Sequence, residues 1–275
     1  MGVRDAPAPP TLLAEYQARF SETELSVGGG RWRWRETHGR GPALMLLPGA
    51  QGTGDMFYRT ALALGDDFRV ITATPPAWAD CERVAASLPV LLDALSLATT
   101  HLLGSSLSGV VVQWFAQAHP RRIDTLFLAN TFCDATRHQI NMPTPEQIEH
   151  TQADALLERM LGNMLAAPES EVAHAELREA ARALMGPQQS AETLKARLLA
   201  LRLARPAPRV PLGDDRIVLI DDDADPVITP DMRTSLRKRY ADCEHHAIAG
   251  GGHYPAILRP QAYESILRAR LERAG

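Results

Sequence analysis

Short apolar runs rich in aliphatic and β-branched residues recur along this chain, with helical patterns between the early ones. Ala43–Leu47, Arg69–Thr74, His101–Leu103, Thr125–Ala129, Arg216–Ile220 and His245–Ala249 read as strands. Met56–Leu64, Cys81–Leu95 and Leu107–Ala118 read as helices. Strands separated by helices of this length point to crossover connections, and crossovers build a parallel sheet covered on both faces. The fold class is therefore α/β. Ahead of the series, Leu25–Val27 and Arg31–Arg35 flank Gly28-Gly29-Gly30, with Trp32 and Trp34 on one face. That is the pattern of two antiparallel strands joined by a glycine turn. A chain of 275 residues, 45% of them hydrophobic, is long enough to bury such a sheet in one core.

The alternation stops between about Phe132 and Pro211. Three helical patterns and no strand-like run fill this stretch. Thr144-Pro145-Glu146-Gln147 starts the first, with a capping box and proline at the first helical position. Gly186-Pro187 stops the second, and Ser190 caps the third. Arg205–Pro211, with three prolines, is a stiff return. The expected organisation is a core built from residues 1–134 and 211–275 with a helical cap, 135–210, inserted between two of its strands. On the first cap helix, Leu156, Leu157, Met160, Leu161, Met164 and Leu165 form an apolar set. It packs the cap onto the core and is a candidate lining for an apolar pocket.

The strand at His101–Leu103 runs into Gly104-Ser105-Ser106-Leu107-Ser108-Gly109 and then directly into the helix. Strand, sharp turn and helix with a serine at the apex make a nucleophile elbow, which specifies the α/β-hydrolase fold. The apex crowds the residues two positions to either side, so both must be small. Around Ser106 they are Gly104 and Ser108; around Ser105 they are Leu103 and Leu107. Ser106 is the candidate nucleophile. Ser108 departs from the second glycine of G-x-S-x-G.

A serine hydroxyl needs a base at neutral pH, and in this fold the order is serine, acid, histidine. His253 lies in Gly250-Gly251-Gly252-His253-Tyr254-Pro255 after the last strand, which can carry it to the sheet edge where the elbow points. His245 and His246 fall within that strand and read as structural. The acid is sought in a loop after an earlier strand, and Asp225, in Asp221-Asp222-Asp223-Ala224-Asp225-Pro226, is the choice; Asp134 is held in reserve. Four carboxylates in five residues suggest a calcium loop, but the ligand spacing and distal glutamate of an EF-hand are missing, so no metal is assigned.

The oxyanion hole of this arrangement combines the N–H of Leu107 with one from the loop after Ala43–Leu47. That loop is Pro48-Gly49-Ala50-Gln51-Gly52-Thr53-Gly54, and Ala50 is the candidate second donor. Gly49, Gln51, Ser105 and Tyr254 flank these groups and are the candidate substrate contacts. The glycines are not a phosphate cradle, because G-x-x-x-x-G-K-[ST] is absent. No cofactor is called for.

Leu46-Leu47-Pro48 through Gly52-Thr53, Phe57, the elbow Leu102–Gly109 and Leu126–Phe132 together resemble the maspardin family of the α/β-hydrolase fold. The likeness runs from about Ala43 to Ala135 and resumes around Ile217–Pro255, over half the chain; the cap is similar only loosely. The resemblance implies a binding or adaptor protein, because that family's triad is incomplete at the histidine position. Here Gly252-His253-Tyr254-Pro255 carries histidine, which implies a working enzyme instead. Pro48 stands, as in that family, where many hydrolases of this fold have histidine.

A formal charge of −4 offers no basic footprint for nucleic acid. Cys81, Cys133 and Cys243 lack CxxC spacing and read as reduced thiols of a cytoplasmic protein. No run approaches a membrane span, and Met1–Pro10 has neither the apolar region of a signal peptide nor a myristoylation pattern. The expectation is a carboxylesterase-like serine hydrolase acting on ester or thioester small molecules through Ser106, His253 and Asp225. The alternatives are a non-catalytic binder or a related triad reaction such as C–C hydrolysis or a lyase step. Oligomeric state is left open.

Overall fold

The computed structural model describes residues 11–166 and 172–274; Met1–Pro10, on which the leader and lipidation readings rest, lies outside the described residues. In chain order the regular elements are α1 (Leu12–Arg19), β1 (Thr23–Val27), β2 (Gly30–Glu36), β3 (Gly41–Leu47), α2 (Tyr58–Leu64), β4 (Phe68–Thr74), α3 (Cys81–Ala94), β5 (Thr100–Ser105), α4 (Leu107–Ala118) and β6 (Ile123–Ala129). After β6 come α5 (Thr136–Gln139), α6 (Pro145–His150), α7 (Ala153–Leu165), α8 (Val172–Leu184) and α9 (Ala191–Leu203). The chain then closes with β7 (Ile217–Asp221), α10 (Pro230–Arg239), β8 (Glu244–Ala247), α11 (Pro255–Leu258) and α12 (Pro260–Leu271).

The eight strands form one sheet in the order β1-β2-β4-β3-β5-β6-β7-β8. From β4 to β8 every pairing is parallel, while β2 runs antiparallel to β4 and to β1. Val27 pairs with Gly30 across a two-residue turn whose Gly28 and Gly29 both have positive φ, 55° and 79°. Two left-handed residues in succession are what a tight hairpin with right-handed strand twist demands.

Parallel strands are buried on both faces, and period-two alternation divides their side chains between two cores. Met45 and Leu47 of β3, with Leu102, Leu126 and Leu219, pack under α3, α4 and α10. Leu44 and Leu46, with Leu103, Phe127 and Val218, pack against α1, α2, α12 and the helices after β6. Trp32 of β2 is fully buried in the first core, and its indole N–H donates to Ser87 Oγ of α3 at 2.9 Å.

Between β6 and β7 the sequence patterns predict three helices, and the structure has five. The first predicted helix is interrupted. α6 begins at the Thr144 capping box but ends at His150, because Thr151 is extended (φ −71°, ψ 135°) and its hydroxyl and N–H both turn back to the Gln147 carbonyl. A threonine hydroxyl that bonds the carbonyl four residues back competes with continuation of the helix, and α7 restarts after Gln152. The helical insert is tied to the core by Glu176 of α8, which accepts from Tyr58 Oη at 2.5 Å and pairs with Arg59.

Removal of a fully buried indole leaves a cavity and takes away the donor to Ser87 Oγ, whose own hydroxyl still donates to Val84 O. Trp32→Ala is expected to cost about 3–5 kcal/mol, read as a lower urea midpoint with an unchanged slope; a loss under about 1 kcal/mol would contradict the packing described.

Candidate active site

β5 delivers Ser106 to the C-terminal edge of the sheet, and α4 leaves from it at once. Ser106 has φ 51° and ψ −120°, a conformation that a residue with a side chain adopts only under constraint. The constraint is visible on every side. Its N–H donates to Ala129 O at 3.0 Å, and its carbonyl accepts from Gly109 N at 2.9 Å and from the Thr131 hydroxyl. The small neighbours are required: a Cβ on Gly104 would stand 2.4 Å from Ser108 O, and one on Gly109 would stand 2.1 Å from Thr131 Oγ1. Ser108, the departure from the glycine pattern, is more than tolerated. Its hydroxyl donates to the Pro48 carbonyl and so joins the elbow to the loop after β3.

That loop passes directly over the nucleophile candidate. A Cβ on Gly49 would lie 2.8 Å from Ser106 Cβ and 3.3 Å from Ser106 Oγ, so any side chain there would displace Ser106 or the loop. The Leu107 N–H is at the first position of α4, where no intrahelical acceptor exists, although Leu107 is not among the residues that line the cavity holding Ser106.

The loops after β7 and β8 bring Asp225 and His253 together. Asp225 Oδ2 accepts from His253 Nδ1 at 2.9 Å, and Oδ1 accepts from the Val227 and Ile228 N–H groups at 2.7 and 3.0 Å. A carboxylate only accepts, so Nδ1 donates in either form of the ring, and in the neutral form Nε2 keeps its lone pair. Burial alone would raise the Asp225 pKa. The hydrogen bond and charge of His253, with the Asn130 amide and the Val227 N–H, outweigh it and hold the carboxyl below its ordinary value. His253 is seated by its neighbour as well: Gly252, at φ 51°, donates its N–H to Asp222 Oδ2 at 2.8 Å and gives its carbonyl to Asn130 Nδ2 at 2.7 Å.

The other acidic residues take separate roles. Asp221 binds Arg237 and His245, Asp223 binds Arg237, and His246 binds Glu244. Asp134, the reserve acid, does not meet His253. Its carboxylate accepts from the Thr136 N–H at 2.8 Å at the start of α5, and hydrogen bonding by Thr136, through its side chain first and its N–H second, holds the carboxyl below its ordinary value.

Ser106 and His253 line one cavity of about 590 Å³. Among the described residues no hydrogen bond joins the two side chains; bonds of this kind tighten when substrate binds. The candidate contacts Gly49, Ala50, Gln51, Ser105 and Tyr254 line the same cavity. The Tyr254 hydroxyl donates to Gln51 Oε1, and its ring stands edge-on to His253 with centroids 5.2 Å apart. The far wall is apolar: Met56, Phe57, Ile257, Leu258 and Tyr263 from the core meet Met160, Met164, Leu177, Leu198 and Leu201 from the insert. Of the six apolar residues expected on the first cap helix, only Met160 and Met164, one turn apart, reach the cavity. Leu156 is buried, and Leu157 and Leu161 pack against the second core. No Asp, Glu, Lys or Arg lines it among the described residues.

Three residues at the site escape local sequence patterns. Asn130, at φ 43°, donates at 2.9 Å to Asp225 Oδ2 as well as to Gly252. Gln189 and Arg197 reach in from the insert to the loop after β3.

No family model matches the chain. Maspardin from Homo sapiens is 38% identical over 96 residues, which is 34% of this chain and 31% of that protein. The match is thus shorter than the resemblance in the motifs suggests, and it spans about a third of the length of the maspardins. A 2-hydroxy-6-oxononadienedioate/2-hydroxy-6-oxononatrienedioate hydrolase from Pseudomonas putida is 29% identical over 144 residues, 46% of this chain and 48% of that one. Among solved structures, a thermophilic esterase from Thermogutta terrifontis superposes with a TM-score of 0.73 at 20% identity, covering 92% of this chain and 98% of its own. The chain has the α/β-hydrolase fold and is maspardin-like in sequence. Among the described residues, no helix is long and apolar enough to cross a membrane.

Because the folded pKa of Asp225 is depressed, its contribution to stability is complete above the unfolded value, about 3.9, and is lost as pH falls through the lower folded one. The melting temperature is expected to drop as the pH falls below about 3.9. Asp225→Asn should melt lower at pH 7 and show a shallower acid slope; parallel curves would exclude an ionised Asp225.

Proposed function

We propose that the protein is a serine hydrolase of uncharged, ester-like small molecules, carboxylic esters or thioesters, with Ser106 as nucleophile, His253 as base and Asp225 as its orienting acid. The observation that carries this reading is a strained serine at a strand-to-helix turn sharing a cavity with a histidine whose Nδ1 is committed to a buried carboxylate. That commitment leaves Nε2 available for the Ser106 proton.

In the reaction, Ser106 Oγ attacks the carbonyl carbon as its proton passes to His253 Nε2. The carbonyl oxygen becomes an oxyanion held by the Leu107 and Ala50 N–H groups. Asp225 stabilises the imidazolium, which then protonates the departing alkoxide or thiolate and leaves an acyl-enzyme. Water, deprotonated by His253, attacks that ester, and collapse releases the carboxylic acid and restores Ser106. The apolar wall supports an aliphatic or aromatic acyl group, since each buried methylene is worth about 0.8 kcal/mol. The mixture of names among similar proteins leaves C–C hydrolysis as the competing chemistry for the same residues, supported by the Pseudomonas putida relative. A cytoplasmic setting fits three buried free cysteines.

Hydrolysis of p-nitrophenyl esters of graded chain length, together with fluorophosphonate labelling, tests the reading. The kcat/KM is expected to rise about fourfold per methylene until the cavity is filled, and Ser106→Ala should abolish labelling and lower kcat by about 10⁴ or more. No labelling of the wild type would point to a binding protein, and labelling without ester turnover to another triad reaction. Gly49→Ala, which forces a Cβ onto Ser106, should lower kcat by about 10² while the protein stays folded; an unchanged kcat would remove the loop after β3 from the chemistry.

A further inference from the structure

The loop after β3 has an unusual set of partners. Side chains from other parts of the chain bind its carbonyls. Pro48 O accepts from the Ser108 hydroxyl. Ala50 O accepts from Gln189 Nε2 at 2.6 Å, and Gly52 O accepts from Arg197 Nη1 at 2.6 Å, with a longer 3.5 Å contact from the same nitrogen to Gly49 O. Gln189 Oε1 closes a ring by accepting the Gly52 N–H at 2.6 Å. In a planar trans peptide the carbonyl of one residue and the N–H of the next point in opposite directions. Drawing the Gly49 carbonyl toward Arg197 therefore aims the Ala50 N–H the other way. The bonds on Pro48 O and Ala50 O fix the peptides on either side of it.

Both long side chains come from the helical insert, from the turn before α9 and from α9 itself. Gln189 is 1% exposed and Arg197 4%. The turn holding Gln189 is itself closed, with Gly186 at φ 94°, Gly186 N bonded to Gln189 O, and Arg33 of β2 donating to Gln188 O at 3.1 Å. Arg197 also reaches Pro75 O at 3.4 Å, after β4. Among the described residues it has no carboxylate partner in a hydrogen bond or ion pair. A buried cation without an anion is costly, and its only return is the carbonyls it gathers.

We propose that Gln189 and Arg197 are positioning residues for acyl transfer: reaching from the insert, they turn the carbonyls of the loop after β3 away from the cavity and so hold the Ala50 N–H toward Ser106. The insert is then a structural part of the oxyanion hole, not only the wall of the pocket. The catalytic half of this proposal rests on Ser106 acting as the nucleophile, whereas the clamping of the loop does not.

Gln189→Ala, Arg197→Met and Arg197→Lys in the full-length chain test it by ester kinetics, amide hydrogen exchange of residues 48–54 and melting temperature. Expected are a kcat lowered about 10- to 100-fold with KM within about threefold, and loop exchange faster by about tenfold or more with the sheet amides unchanged. Arg197→Lys should not rescue, because a single ammonium cannot bridge Gly52 O and Pro75 O as a guanidinium fork does. Should Arg197→Met fail to fold, Gln189→Ala removes no charge and carries the same comparison. Wild-type exchange in the loop of Gln189→Ala would overturn the clamp. A loosened loop with unchanged kcat would overturn its catalytic role. If the wild type hydrolyses no ester, the reading of function fails, and the exchange result still decides whether the insert holds the loop.

Discussion

A serine held at φ 51° and ψ −120° does not stay there unaided. The strain, of order 1–3 kcal/mol, is borne by groups from four parts of the chain: the Ala129 carbonyl at the end of β6, the Thr131 hydroxyl beyond it, the glycines at 104 and 109, and the Ser108 hydroxyl against Pro48. These groups meet only because parallel strands all end at the same edge of the sheet. The helices on both faces make that sheet rigid, and rigidity at the edge keeps the peptide at 106 turned outward.

Two kinds of buried charge shape that edge, and they are solved differently. The Asp225 carboxylate is surrounded by donors from His253, Asn130, Val227 and Ile228, so its ionised form is favoured despite burial. Two buried guanidinium groups among the described residues do the converse. Arg197 gathers the carbonyls of the loop after β3, and Arg233 of α10 gathers those of Asp223, Asp225 and Ile228 in the acid's own loop. A planar group with five donors is well suited to collecting backbone acceptors that no helix or strand would satisfy.

Much of this was legible in the sequence because the signals are local. The alternation of apolar runs and helical patterns reflects burial on both sheet faces, and each of Ser106, Asp225 and His253 stands in a short segment whose glycines, prolines or small residues announce a turn. Asn130, Gln189 and Arg197 carry no such mark. Their partners are 95 or more residues away, in Asp225 for Asn130 and in the loop after β3 for the other two, and nothing next to them in sequence reports that distance. Asn130 came nearest to being readable, since asparagine tolerates the left-handed conformation it adopts. The break between α6 and α7 was hidden for another reason: no glycine or proline marks it, and the turned-back bonds of Thr151 interrupt the helix.

Helix α9 presents two faces to two different tasks. Leu198 and Leu201 face the cavity, while Arg197 faces the loop beside the nucleophile candidate. Residues one position apart thus answer to unrelated demands, the shape of a guest molecule and the geometry of a peptide plane. Natural drift or laboratory selection can resculpt the first face freely, but grafting a foreign set of helices in place of this one would discard the second. Tuning within the native helices, rather than wholesale exchange, is the route by which this scaffold can change what it accepts.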